Sequence, residues 1–297
     1  MTIYEKNAEA ISAKPHYPFI KTALLSMMGG LLVGMGYIGY LMFSKAAGHD
    51  ETAQILAKFF GAALFPIGIL GCVFLGGSLF TSDSLLSISW YKKEVKTTKI
   101  VTHWIIVWVF NFVGSTLIAV LVWATGVFKY DAAAAHGGAG YQAVEHLTAS
   151  KSNIAWGNQP ELGWLKTIAS GILCNILVAG SIFMANGVEN KGMKVILIWF
   201  PITLFVAAGF QHTVANQFVF VEGWLNGTDT PANGSLMNLA MSGVGNWIGG
   251  AVFLPLVYGI ISSKTKSHGS KTSTASNSIA KPLPKLTKEK AIDKKKK

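Results

Sequence analysis

Six stretches of the chain carry no Lys, Arg, Asp or Glu: residues 22–44, 59–82, 100–128, 167–188, 195–221 and 230–263. A helix rises 1.5 Å per residue, so a hydrocarbon core ~30 Å thick needs about 20 residues. The windows, of 23, 24, 29, 22, 27 and 34 residues, are all long enough. A soluble amphipathic helix interrupts its apolar face with charge every turn or two, and these windows do not. The pattern predicts an all-α membrane protein with six transmembrane helices. The first window begins after Lys21 and five more follow, which favours a mature N-terminus over a cleaved signal peptide.

Two of the six are too long and too polar in the middle for plain helices. From 59 to 91 the chain is apolar except around Gly76-Gly77-Ser78-Leu79-Phe80-Thr81-Ser82-Asp83-Ser84. From 195 to 221 the centre reads Gly209-Phe210-Gln211-His212-Thr213-Val214-Ala215-Asn216-Gln217. Irregular backbone at membrane depth is tolerated only where it is buried in protein or lines a wet cavity. The second and fifth spans are therefore expected to be broken around a pore. Asn111-Phe-Val-Gly114 in the third span echoes Asn246-Trp-Ile-Gly249 in the sixth. With three spans per half, the second copy is inverted, an architecture of transporters and channels.

Charge sets the orientation. Every basic residue is Lys, and with the N-terminus inside, 20 of the 25 fall on the cytoplasmic side. Lys45, Lys58, Lys129, Lys151 and Lys166 are left outside. The expectation is a plasma-membrane protein with both termini cytoplasmic. Residues 1–18 form a cytoplasmic segment, an interfacial helix or a simple linker; 19–263 the six-span domain; 264–297 a Lys-rich tail. The net charge of +11 is local to that tail, which holds eleven lysines, and so argues for a solvated, disordered segment near lipid headgroups rather than for nucleic acid. Cys72 and Cys174 lie within spans and form no metal pattern.

His212 is the sharpest candidate for chemistry, because a titratable side chain at mid-membrane usually faces a cavity. The competing reading is a neutral, hydrogen-bonded core histidine. Thr81 sits at the other break and is read as pore lining, against a helix cap. Asn216 accompanies His212, and Asn175 in the fourth span either donates to substrate or binds a neighbouring helix. Asp83 and Ser84 read as caps and His103 as interfacial. Lys166 either draws anions into a vestibule or snorkels.

Together the motifs resemble the formate/nitrite transporter family. The two breaks, Gly77-Ser-Leu79-Phe80-Thr81-Ser82 and Ala208 through Asn216, match that family's break motifs, and Asn111 to Gly114, Gly171 to Asn175 and Asn246 to Gly249 match its span motifs. The likeness runs in order over residues 16–263. It implies an aquaporin-like six-span protomer assembled as a homopentamer, with one pore each. By position it implies an outer constriction of Phe65, Ile69 and Phe205, an inner one of Leu79, Phe80 and Val178, and a central pair of Thr81 and His212. Many members carry Glu before the central histidine; this chain has Gln211. The family's vestibule lysine is carried onto Lys166.

The expected function is transport of small monocarboxylates, formate or lactate foremost, with proton coupling through a neutral-acid step. The proton comes from vestibule water or from His212. Alternatives are a nitrite or hydrosulfide anion channel and a neutral-solute channel of the water or glycerol type, whose Asn-Pro-Ala motifs are absent. An intramembrane enzyme with Ser78 or Ser82 as nucleophile lacks a supporting motif. Neither metal nor cofactor is expected, and without an ATP-binding loop, gradients must drive the flux.

Overall fold

The computed structural model describes residues 1–47, 50–156 and 160–263, and among these the regular structure is helical throughout. In chain order the α-helices are α1 (Ile3–Ile11), α2 (Phe19–Ala47), α3 (Glu51–Leu64), α4 (Pro66–Leu75), α5 (Phe80–Asp83) and α6 (Ser87–Tyr91). They continue as α7 (Thr97–Thr125), α8 (Gly138–Trp156), α9 (Pro160–Asn186), α10 (Lys191–Ala207), α11 (Thr213–Leu225) and α12 (Ala232–Trp247). Met1–Gly259 form one compact unit; of the second, Ile260–Lys297, only residues 260–263 are described, and they are helical. The Lys-rich segment 264–297 lies outside the described residues.

Five stretches are long and apolar enough to cross a bilayer: Phe19–Lys45, Glu51–Leu75, Thr97–Thr125, Leu162–Asn186 and Ala232–Ser263. The remaining charge-free window, 195–221, is divided between α10 of 17 residues and α11 of 13, each too short alone. The outer faces are apolar, with Phe59, Phe60, Ile67, Phe74, Leu117 and Leu121 all exposed. In water such a surface is an aggregation hazard, whereas against hydrocarbon it costs nothing.

Helices approach closely where side chains are absent. A Cβ on Gly30 of α2 would lie 1.9 Å from the Asn111 carbonyl oxygen, and one on Gly114 of α7 would lie 1.9 Å from that of Met27. On the other side of the fold, Gly249 stands in the same relation to the Ile172 carbonyl of α9, at 2.4 Å. This backbone-to-backbone packing is how membrane helices associate without a hydrophobic driving force between them. After α12 the chain widens into a π-turn, Ile248–Phe253. Carbonyls around it are taken up by side chains: the Asn246 oxygen accepts from Asn175 Nδ2 at 2.6 Å and the Ala251 oxygen from the Tyr91 hydroxyl at 3.0 Å.

Two apolar clusters organise the interior. One contains Phe65, Ile69, Leu79, Val178 and Phe205, with Phe80 packed against it. The other gathers Leu85, Ile88, Trp104 and Phe183 beneath α1, which contributes Tyr4, Ala8 and Ile11. α1 opens on a capping box between Thr2 and Glu5 and is fastened to the end of α9 by side-chain donors. Asn7 Nδ2 donates to the Phe183 carbonyl and Lys6 Nζ to that of Gly187, both at 2.9 Å.

Candidate functional site

The site is made where two helices stop and restart. α4 ends on Gly76, whose φ of 85° is left-handed, and α10 is followed by Gly209, whose φ is 73°. Glycine takes this conformation without the Cβ penalty, so each turns the chain sharply out of its helix. Irregular backbone follows in each case, and a buried asparagine satisfies it. Asn111 Oδ1 accepts from the Phe80 amide at 3.0 Å, while its Nδ2 donates to the carbonyls of Ser26 and Ser78 at 2.7 and 2.9 Å. Asn246 Oδ1 accepts from the Thr213 amide at 2.8 Å, while its Nδ2 donates to the carbonyls of Gly171 and Gln211, each at 2.8 Å. Buried amides and carbonyls left open would each cost about 1–3 kcal/mol, so these side chains are what permit the interruptions.

The restarts bring Thr81 and His212 together. Both are buried, and Thr81 Oγ1 lies 3.1 Å from His212 Nε2. His212 is also the N-cap of α11: its Nδ1 accepts from the Ala215 amide at 3.1 Å. An imidazole nitrogen that accepts carries no proton, so in the neutral ring the proton sits on Nε2 and is donated to Thr81 Oγ1. The Thr81 hydroxyl hydrogen is then free to serve another acceptor. The Thr81 backbone is pinned in turn, its carbonyl accepting from Asn175 Nδ2 at 3.0 Å and from Ser84 Oγ at 2.5 Å.

On one side of this pair stands an aromatic layer. The Phe205 ring stacks on His212 with centroids 5.6 Å apart and meets Phe65 edge-on at 5.5 Å; Phe65 meets Tyr37 edge-on at 5.0 Å. Ile69, Leu79 and Val178 are fully buried in the same cluster, and Phe80 is partly buried against it. Five of the six residues expected at constrictions thus share one buried cluster with Phe80 packed against it, and of these Phe205 lies on His212.

The amides have differentiated roles. Asn175 Nδ2 also donates to Ser84 Oγ at 3.2 Å, so this side chain braces α5 against the π-turn, the neighbouring-helix alternative of the sequence reading. Asn216 Nδ2 donates to Gln211 Oε1 at 2.8 Å and to Asn238 Oδ1 at 2.7 Å. Asn238 Nδ2 in turn donates to the Lys151 carbonyl at 3.0 Å. The Oδ1 atoms of Asn175 and Asn216 are buried without a hydrogen-bond partner among the described residues.

The lysine of the site differs from the one the sequence suggested. Lys166 is exposed on α9. Lys151 of α8 is 5% exposed, its Nζ 5.8 Å from the centre of the Tyr37 ring. Counting back along the fourth span finds only Lys166. Lys151 arrives instead because α8, which the sequence placed in an external loop, folds back onto α2, α11 and α12. Among the described residues no carboxylate pairs with Lys151, and the residue before His212 is the uncharged Gln211.

Reasoning from the sequence also missed a charged cluster. The Asp83 carboxylate, read as a cap, is buried and accepts from Lys14 Nζ at 2.5 Å and from His103 Nε2 at 2.9 Å. His103, read as interfacial, is therefore buried too. Trp104 Nε1 donates to the Asp83 carbonyl at 2.7 Å, and Trp108 Nε1, one turn along α7, donates to Thr213 Oγ1 at 3.1 Å. One face of α7 thus braces both restarted helices.

An apolar exterior, five helices long enough to cross a bilayer and a buried Thr81–His212 pair are the build of a helical membrane protein. The chain belongs to the formate/nitrite transporter family, whose model matches residues 1–260. A relative described as "Formate channel FocA", from Haemophilus influenzae, is 31% identical over 211 residues, covering 70% of this chain and 69% of its own. A solved structure titled "FNT family ion channel" aligns with a TM-score of 0.71 at 26% identity, covering 87% of this chain and 98% of its own. Another, "Pentameric formate channel with formate bound", shares the fold with a TM-score of 0.65 at 24% identity over 82% of this chain and 97% of its own.

Proposed function

We propose that the chain carries formate or a similarly small monocarboxylate across the plasma membrane together with a proton, as a homopentamer of six-span protomers. In this reading the second and fifth spans are the interrupted ones, the halves are inverted repeats, and both termini are cytoplasmic. The observation that carries the reading is the buried Thr81–His212 pair, with the ring of Phe205 stacked on His212 and set edge-on against Phe65. The names of the relatives support formate over the alternatives.

A bare carboxylate in hydrocarbon is heavily penalised, so passage through the aromatic layer favours the neutral acid. Lys151 supplies positive charge on the approach, where an anion is drawn in and its local concentration raised. The acid that crosses meets the Thr81 hydroxyl, oriented by the His212 Nε2 proton, and the free Oδ1 of Asn216. Protonating His212 at Nδ1 would cost the Ala215 cap, so the arrangement favours a ring that donates without itself becoming charged. Net movement is then anion plus proton, the proton drawn from vestibule water.

A second reading, transport of the anion alone, is favoured by one feature: Lys151 has no carboxylate partner among the described residues, leaving a net positive site. Uptake of labelled formate into proteoliposomes tests the assignment. His212→Ala and Thr81→Ala are expected to lower it about tenfold or more, and undiminished uptake in both variants overturns the assignment.

A further inference from the structure

The ring of Tyr37 joins the buried lysine to the aromatic layer. It meets Phe65 edge-on with centroids 5.0 Å apart, and the series continues through Phe205 to His212. Phe218 of α11 stacks on it at 6.4 Å, Tyr40 meets it edge-on at 5.8 Å, and Lys151 Nζ lies 5.8 Å from its centre. Glycines bring α2 in this close: a Cβ on Gly34 would lie 3.0 Å from the Phe218 ring, and one on Gly36 2.6 Å from the Phe65 carbonyl oxygen. Tyr37 is thus fixed where charge gives way to aromatic carbon.

Packing accounts for the ring but not for the hydroxyl, since phenylalanine would fill the same layer. A buried tyrosine usually finds a partner for its O–H. Tyr37 is 5% exposed, and its hydroxyl makes no hydrogen bond among the described residues. Lys151 Nζ has no hydrogen bond or ion pair there either, and its contact with the Tyr37 ring is cation–π. Two buried donors, one neutral and one cationic, therefore meet at one ring without a protein acceptor. A ligand that satisfies both brings two acceptor atoms and negative charge.

We propose that the Tyr37 hydroxyl is a substrate-binding group which, with Lys151 Nζ, holds the two oxygens of a carboxylate at the threshold of the aromatic layer and selects two-oxygen anions over single-atom ones. The proposal rests on the transport reading and adds to it the residue that sets the substrate class. Formate, lactate and nitrite give each donor its own oxygen; hydrosulfide and chloride present one atom, and sulfur accepts weakly from a hydroxyl. Hydrogen bonds to an ionised acceptor are roughly twice as strong as neutral ones, so the hydroxyl acts on the anion, before a proton neutralises it. Its contribution is to binding, and its loss appears in the concentration for half-maximal flux rather than in the maximal rate.

The test is saturation-transfer NMR of the formate proton on the purified full chain in nanodiscs, with nitrite and chloride as competitors, beside flux in proteoliposomes. In wild type, nitrite is expected to displace formate at about a tenth of the chloride concentration or less. Tyr37→Phe keeps the ring and removes the donor, so formate and nitrite should each bind about tenfold more weakly while chloride binds as before. Half-maximal flux should need about tenfold more formate, with maximal flux within about twofold of wild type. Tyr258→Phe, the same change on a ring that packs against Phe183 at 4.9 Å, is the control expected to alter none of these. A formate affinity unchanged in Tyr37→Phe, an equal loss for chloride, or a loss confined to maximal flux overturns the role of Tyr37. The expected binding pattern with no formate flux in wild type overturns the transport reading and leaves the hydroxyl's role in binding standing.

Discussion

At the first interruption Gly76 turns the chain, Asn111 accepts from the Phe80 amide, and its Nδ2 holds the carbonyl two residues earlier. At the second, Gly209, Asn246, Thr213 and Gln211 stand in the same relations. The residue just before each restart is where the two diverge: Leu79 in one and His212 in the other. Leu79 cannot cap its helix and fills an apolar layer; His212 caps α11 through Nδ1 and turns Nε2 to Thr81. One backbone arrangement thus carries an apolar side chain at one restart and a hydrogen-bonding imidazole at the other. The asparagines satisfy the backbone at both restarts, and the residue at the N-cap is what differs.

The scaffold half of this comparison breaks most visibly if the asparagines are removed. Asn111→Leu and Asn246→Leu each delete three side-chain hydrogen bonds in the interior, and at about 1–3 kcal/mol for each group left open, both variants should lose 3 kcal/mol or more. Thermal unfolding in detergent should show comparable large drops; tolerance of one but not the other would mean the two breaks are not equivalent.

The chemical half is sharpened by exchanging what sits at the restart. His212→Ala should cut formate flux about tenfold or more at every pH from 5 to 8, whereas Leu79→Ala, which only trims an apolar layer, should leave flux intact or raise it. Equal losses in both, read by stopped-flow uptake, would return His212 to the role of a core residue. Thr81→Val keeps the shape and removes the hydroxyl, so flux should fall several-fold, while Thr81→Ser retains most of it.

The smallest effects belong to the turns. Nothing lies within 4 Å of a Cβ added at Gly76 or Gly209, so alanine there meets only the left-handed backbone, worth about 1–2 kcal/mol. Gly76→Ala and Gly209→Ala should lower the unfolding midpoint by similar small amounts, and a change in one alone would show that the turns carry different strain.

Much of this was legible in the sequence because the breaks are written locally. A glycine, a short polar run and an interrupted charge-free window appear twice, and the paired Asn-x-x-Gly motifs sit on the helices that satisfy them. Thr81 and His212 were each marked by the same signal, and their pairing was implied by the family resemblance. The charged contacts did not, because each joins segments far apart in the chain. Lys151 precedes Asn175 by 24 residues and reaches the site only by the return of α8, and Lys14, Asp83 and His103 come from three separate segments. A count along one helix, which is what pointed to Lys166, carries no information about such a fold-back. Asn175 shows the remaining limit: its position marked it as polar and central, but only its partners show that it braces α5.

The most direct test of the central claim, that a proton accompanies the anion past Thr81 and His212, is formate efflux from proteoliposomes with internal pH and membrane potential recorded together. The account predicts that wild type alkalinises the lumen in step with formate leaving, without net charge movement. Formate movement that carries charge and leaves internal pH unchanged would contradict it and make the pore an anion channel.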